Sequence, residues 1–192
     1  MVINNCISED YKYYPKDKLA AKPVILQIGT KANKNLGRVI NSLKDIECKL
    51  LIIGKLSDSQ IALLKSKEID YESFHNLSKE EMLKKYIQSD ILLFASTYEG
   101  FGMPTIEANA VGRPVITSNL EPMKSVAAES ALLVNPFSEE EIKEAVVKLL
   151  NDEQLRSALI EKGLVNAKKY RAEYIAKQYM EVYDKILKKK IK

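Results

Sequence analysis

Two carboxylates, Glu99 and Glu107, bracket the stretch EGFGMPTIE. Just upstream runs DILLFASTY, an apolar segment of strand length that delivers Glu99 at its tip. Pro104 reads as the first helical residue, because its missing N–H would have no intrahelical acceptor. That leaves Gly100, Phe101, Gly102 and Met103 in a loop whose amides, with that of Thr105 in the first helical turn, can converge on an anion. Glycines let the backbone approach closely and a helix start favours negative charge, so phosphate is the natural occupant. Carboxylates do not bind phosphate, but they accept hydrogen bonds from hydroxyls. Glu99 faces the mouth of such a site, while Glu107, a turn inside the helix, can point back along the ligand. A molecule with hydroxyls on both sides of a diphosphate is a nucleotide sugar. The loop after the first apolar run adds Gly29, Thr30, Lys31 and Lys34, whose lysines supply the countercharge, and Gly54 ends the second run.

By itself a glutamate pair at this spacing arises often by chance, and a glycine-rich turn can be mere tight packing. Its place between a strongly apolar strand and a proline-started helix is what gives it weight. Rival motifs fail. GFGMPT is similar to a dinucleotide-binding glycine pattern, but Thr105 stands at the third position and the turn follows the fourth strand rather than the first. Gly54-Lys55 continues into Leu56 and lacks the upstream glycine of a P-loop. The single histidine, His75, sits beside a helix cap and reads as a loop residue, with a nucleobase as the sharper partner. No Asp-x-Asp pair offers to hold a diphosphate through a metal.

The elements that position these residues alternate between strands and helices. Strands are expected at 23–29, 49–54, 69–74, 90–96, 114–119 and 131–135. Helices are expected over 33–43, from Ser57 or Asp58, and after Ser78, which forms a capping-box pair with Glu81. Apolar strands joined by helices imply a Rossmann-like α/β fold, three layers with a parallel sheet covered on both faces. Beyond residue 137 the pattern is wholly helical: one helix capped by Ser138, one over about 152–170, and a last from about 172 to 190. In that last helix Ile175, Tyr179, Val182, Tyr183, Ile186 and Leu187 recur at spacings of three and four, a stripe that must pack on something.

The bulk numbers agree with one soluble domain. Of 192 residues, 46% are hydrophobic and 29% charged, a balance far from that of disorder. The longest apolar runs are too short to span a bilayer, and MVINNCISED has no secretory pattern. Cys6 and Cys48 lack metal-like spacing and suit a reducing cytoplasm. A net charge of +4 is compatible with an anionic ligand but falls short of a nucleic-acid footprint. Much of the excess lies in the terminal KKKIK, where lysines serve a helix end and solubility; weak contact with an anionic membrane surface is the sharper reading.

From about residue 23 to 170 the sequence resembles the C-terminal, donor-binding domain of GT-B glycosyltransferases of family 4, also called group 1. The parts that carry the resemblance are LQIGTKANKNLGRVI, KLLIIGK, KYIQSDILLFASTYEGFGMPTIEANAVGRPVITSN and ALLVNPFSEEEIKEAVVKLLND, in that order. The family's E-x7-E motif falls on Glu99 and Glu107. The resemblance implies that Glu99 contacts donor-sugar hydroxyls near the reacting carbon and that Glu107 contacts the ribose. It implies that Lys34, with the amides of Phe101, Gly102, Met103 and Thr105, holds the diphosphate leaving group. It further implies a cytoplasmic enzyme of glycan, surface-polysaccharide or glycolipid synthesis that transfers sugar with retention, without a required metal or cofactor, by front-face attack. Many members carry an arginine directly after the first-strand glycine; Thr30 stands there here. The resemblance also makes residues 1–22 a connector from an absent N-terminal domain, which would bind the glycan or lipid-linked acceptor, and 171–192 a helix that packs back on it. The chain alone is then an incomplete half. A GT-B-like epimerase or phosphorylase, and a non-catalytic module joining a partner through its last helix, are the alternative readings.

Overall fold

A computed structural model describes residues 3–16 and 18–190. Six strands, β1 (Val24–Ile28), β2 (Lys49–Ile53), β3 (Asp70–Phe74), β4 (Ile91–Phe94), β5 (Val115–Ser118) and β6 (Ala131–Val134), form one sheet in the order β3-β2-β1-β4-β5-β6. Every neighbouring pair is parallel. The strands stop one or two residues inside their expected limits, because Gly29 and Gly54 turn out of the sheet with positive φ.

Among the described residues eight α-helices connect and flank the strands: α1 (Leu36–Ser42), α2 (Asp58–Ser66), α3 (Lys79–Gln88), α4 (Met103–Val111), α5 (Met123–Ala127), α6 (Glu139–Asn151), α7 (Glu153–Lys168) and α8 (Ala172–Lys190). Successive residues of a strand point to opposite faces, so the apolar runs feed two cores at once. On one face Ile25, Leu50, Ile52, Ile91, Leu93 and Ile116 pack with side chains of α1 and α6. On the other Leu26, Leu51, Leu92, Phe94 and Val115 pack with Tyr86 of α3, Ile106 of α4 and Met123 of α5. The capping boxes of Ser57 with Gln60 and Ser78 with Glu81 start α2 and α3, and Ser138 caps α6.

Three features go beyond the sequence expectation. The helix expected over 33–43 is broken: a 3-10 turn, Ala32–Lys34, comes first, and Asn35 in the left-handed region separates it from α1. The Asn35 amide enforces the break by donating to the carbonyls of Ala95 and Pro136 at 3.0 and 2.6 Å. Helix α5 occupies a stretch to which the sequence reading assigns no element. Third, residues 7–14 are packed into the domain: Ile7 and Tyr11 are buried in the second core. The Ile7 amide donates to the Tyr170 carbonyl, and Arg171 donates to the carbonyls of Ser8 and Tyr11.

Candidate functional site

In this strand order the chain reverses direction across the sheet between β1 and β4, and it is outside the carboxyl ends of the strands at such a switch point that open α/β sheets bind ligands. The two loops at that point are 29–35 and 95–102, which hold most of the residues the sequence singled out.

Lys34 closes the 3-10 turn and reaches across to the second loop, where its Nζ lies 2.5 Å from Glu99 Oε1. Both side chains are largely sheltered, at 20% and 12% exposure, so the pair is screened less than a surface bridge. The stem of Lys34 runs directly over Gly29: a Cβ there would sit 2.5 Å from Lys34 Cγ, and φ at Gly29 is +92°. Its ammonium also stands 5.0 Å from the centre of the Phe94 ring. Buried Gln27 of β1 pins the turn from below by donating to the Lys34 carbonyl at 2.9 Å. The loops are stitched together as well, since Asn33 Nδ2 donates to the Tyr98 carbonyl and the Thr97 amide donates to the Asn33 carbonyl, both at 2.8 Å.

Thr30 and Gly54 form a separate pair beside this one. The Thr30 hydroxyl donates to the Lys55 carbonyl at 2.8 Å, and a Cβ on Gly54 would meet Thr30 Cγ2 at 2.7 Å. Thr30 therefore ties the first two strand ends together, and its side chain is turned from the Lys34–Glu99 pair. Lys31 is exposed and makes no ion pair among the described residues.

The loop before α4 departs from expectation in two details. Met103, not Pro104, is the first helical residue, because Gly102 at φ +107° already serves as the cap. The Thr105 amide donates to the Gly102 carbonyl at 3.0 Å within that cap, and its buried hydroxyl has no partner. The amides of Gly100, Phe101, Gly102 and Met103 donate to no turn or cap carbonyl among the described residues. Phe101 turns its ring onto Tyr170, 5.9 Å between centroids at 75°, so only its amide faces the loop. Nothing lies within 4 Å of a Cβ at Gly100, and the space over it is open.

Glu107 sits apart from Glu99, half-buried on α4. The Tyr86 hydroxyl donates to its Oε2 at 2.5 Å. Burial pushes the Glu107 carboxyl up from its ordinary value, and the bond from Tyr86 pulls against that. The Tyr86 phenol is itself driven well above its ordinary value by burial first and the Glu107 charge second. Tyr86, Gln27, Asn33 and Asn35 were not singled out from the sequence: each acts on a partner brought near only by the fold. Among the described residues no three His, Cys, Asp or Glu side chains gather as a metal-binding group.

Comparison with known proteins bears on this arrangement. The family model for glycosyl transferases group 1 matches residues 15–165. The chain is 26% identical over 174 residues, 87% of its length, to the N,N'-diacetylbacillosaminyl-diphospho-undecaprenol alpha-1,3-N-acetylgalactosaminyltransferase of Campylobacter jejuni, covering 46% of that protein. It is 28% identical over 199 residues to the capsular polysaccharide biosynthesis glycosyltransferase CapM of Staphylococcus aureus, covering 96% of this chain and 51% of that one. It thus spans about half or less of the length of the curated relatives it matches. Among solved structures, sucrose-phosphate synthase of Thermosynechococcus elongatus superposes with a TM-score of 0.82 at 21% identity, covering 96% of this chain and 52% of that one. A S. aureus TarM variant solved with UDP and other ligands gives 0.80 at 18% identity, covering 95% and 39%.

Proposed function

The chain belongs to the group 1 glycosyl transferases, and from that premise we propose that it is the donor-binding half of a retaining sugar transferase acting in glycan, polysaccharide or glycolipid synthesis. The observation that carries this reading is the Lys34–Glu99 pair, held across two loops at the switch point between β1 and β4.

The pair has the two functions a nucleotide sugar requires. Lys34, anchored by Gly29 and Gln27, offers a fixed positive charge to the diphosphate, where charge accumulates as the sugar–oxygen bond breaks. The open amides of Phe101, Gly102 and Met103 add donors at the start of α4, where the helix dipole has the same sign. Glu99 takes no part in holding phosphate and accepts hydrogen bonds from sugar hydroxyls; a bound diphosphate draws Lys34 away and frees it to do so. Glu107 accepts from the ribose. On the retaining route the leaving phosphate oxygen takes the acceptor's proton while the acceptor attacks from the same face, so the chain's own residues need only position and stabilise. Relatives named for polysaccharide and lipid-linked glycan transfer support the pathway class, and a UDP-bound relative of the same fold supports a nucleoside diphosphate as ligand. The acceptor side and full activity require a further part of the polypeptide, in keeping with relatives about twice as long.

Calorimetric titration of the chain with UDP, GDP, ADP and dTDP and their sugars, with and without magnesium, tests this. Selective binding of one nucleotide, lost on Lys34→Ala and indifferent to magnesium, is the expected result. Binding that requires magnesium would overturn the metal-independent route, and no binding in the presence of the remaining half would overturn the donor site itself.

A further inference from the structure

Glu107 is held in an unusual way for a ligand-binding carboxylate. One of its oxygens, Oε2, is taken by the Tyr86 hydroxyl at 2.5 Å. The other has no partner among the described residues and is not among the buried atoms left unpaired, so it reaches solvent. Tyr86 is fully buried on α3, the only polar atom of its side chain is spent on this bond, and its ring meets that of Tyr11 edge to face, 5.6 Å between centroids at 80°. Tyr11 belongs to the packed segment 7–14, so two separate pieces of chain converge to fix one phenol under one carboxylate.

A buried tyrosine of pure packing value would do as well as phenylalanine. The hydroxyl costs desolvation unless it is bonded, and here it is bonded to a group that itself costs more to bury. We propose that Tyr86 is a positioning residue: it clamps one oxygen of Glu107, fixes the rotamer, and presents the remaining oxygen as a single aimed acceptor for the hydroxyls of a ribose. This rests on the donor-site reading above and deepens it, because an aimed acceptor with no other partner discriminates. A ribonucleoside diphosphate satisfies it; a nucleotide lacking the ribose hydroxyls leaves a desolvated carboxylate oxygen unpaired. Tyr86 thereby sharpens the discrimination at Glu107 without touching the ligand.

The experiment compares the chain, Tyr86→Phe and Glu107→Gln, each checked for an unchanged circular dichroism spectrum and for its melting temperature. Each is titrated with the best-binding of UDP, GDP and ADP and with the 2′,3′-dideoxy form of the same nucleotide. In the unsubstituted chain the ribo form should bind about tenfold more tightly or better, the worth of one charge-assisted hydrogen bond. Tyr86→Phe should reduce that ratio several-fold while affinity for the dideoxy form stays constant, and Glu107→Gln should reduce it in the same sense. A ratio unchanged in Tyr86→Phe, or equal losses for both ligands, would overturn the proposal and leave the donor site standing. Equal affinity of the unsubstituted chain for both forms would do the same. Failure of the unsubstituted chain to bind any nucleotide with its remaining half present would instead remove the donor-site reading, and this one with it.

Discussion

At the scale of single residues, Lys34 and Glu107 carry charges in different settings, and they should fail in different ways. On the proposed reading Lys34 meets the ligand through phosphate alone, so Lys34→Ala should weaken binding of a nucleoside diphosphate by tenfold or more, from about 1.5–3 kcal/mol for hydrogen bonds to charged groups. The corresponding nucleoside should bind unchanged, and calorimetry with the two ligands separates the cases. Glu107 introduces a pH dependence. Burial raises its carboxyl above the ordinary 4.5, with the Tyr86 bond opposing the shift. A raised folded value means the folded chain holds that proton more tightly than the unfolded chain. Its contribution to stability is then complete below the ordinary value and is lost as pH rises through the raised one. Ligand affinity runs the other way, since the ionised carboxylate is the better acceptor. Ribonucleotide affinity should therefore fall as pH drops through the raised value of the Glu107 carboxyl, and Glu107→Gln should abolish that step.

At the scale of elements, the glycines separate what builds the loops from what the ligand needs. Gly29→Ala places a methyl 2.5 Å from Lys34 Cγ at φ +92°. It should lower stability by about 1–3 kcal/mol and displace Lys34, so the melting temperature and diphosphate affinity fall together. Gly100→Ala meets nothing within 4 Å and should leave stability within about 0.5 kcal/mol, yet it narrows the approach to the amides of Phe101 and Gly102 and should weaken diphosphate binding alone. The same elements show where sequence is informative. Strand positions and the caps of Ser78 and Ser138 were legible because apolar runs and cap chemistry are local signals. Helix α5 was not: five residues behind Pro122 offer too little periodicity to read. The break at Asn35 and the clamp of Tyr86 were illegible for a different reason. Their partners, Ala95 and Pro136 in one case and Glu107 in the other, lie 21 to 101 positions away, and only the parallel order of the sheet brings them near. Glu99 and Glu107 could be found as a pair, but sequence gave no hint that one leans on a lysine and the other on a phenol.

At the scale of the whole molecule, the two ends of the described chain behave differently. The N-terminal segment completes a core: Ile7 is buried, and its amide is bonded to the end of α7's following turn at Tyr170. Ile7→Ala should cost about 2–5 kcal/mol, read as a lower urea midpoint with the slope unchanged. Helix α8 does the reverse. It is anchored by Ile175, after which Tyr179, Tyr183, Ile186 and Leu187 stand about half exposed along one stripe. No membrane-spanning helix is present among the described residues, and α8 is too charged to be one. Singly exposed apolar residues mean little, but a continuous stripe on a 19-residue helix is a surface that water disfavours. The proposal that a second domain covers it makes a prediction with a sign. In a polypeptide that includes the preceding half, Tyr183→Lys with Ile186→Lys should lower the melting temperature and weaken the link between halves. In the present chain the same pair should leave the melting temperature unchanged, because the stripe joins neither core among the described residues, and should reduce any self-association seen by sedimentation. Equal effects in both settings would mean that α8 belongs to this domain's own stability rather than to a neighbour.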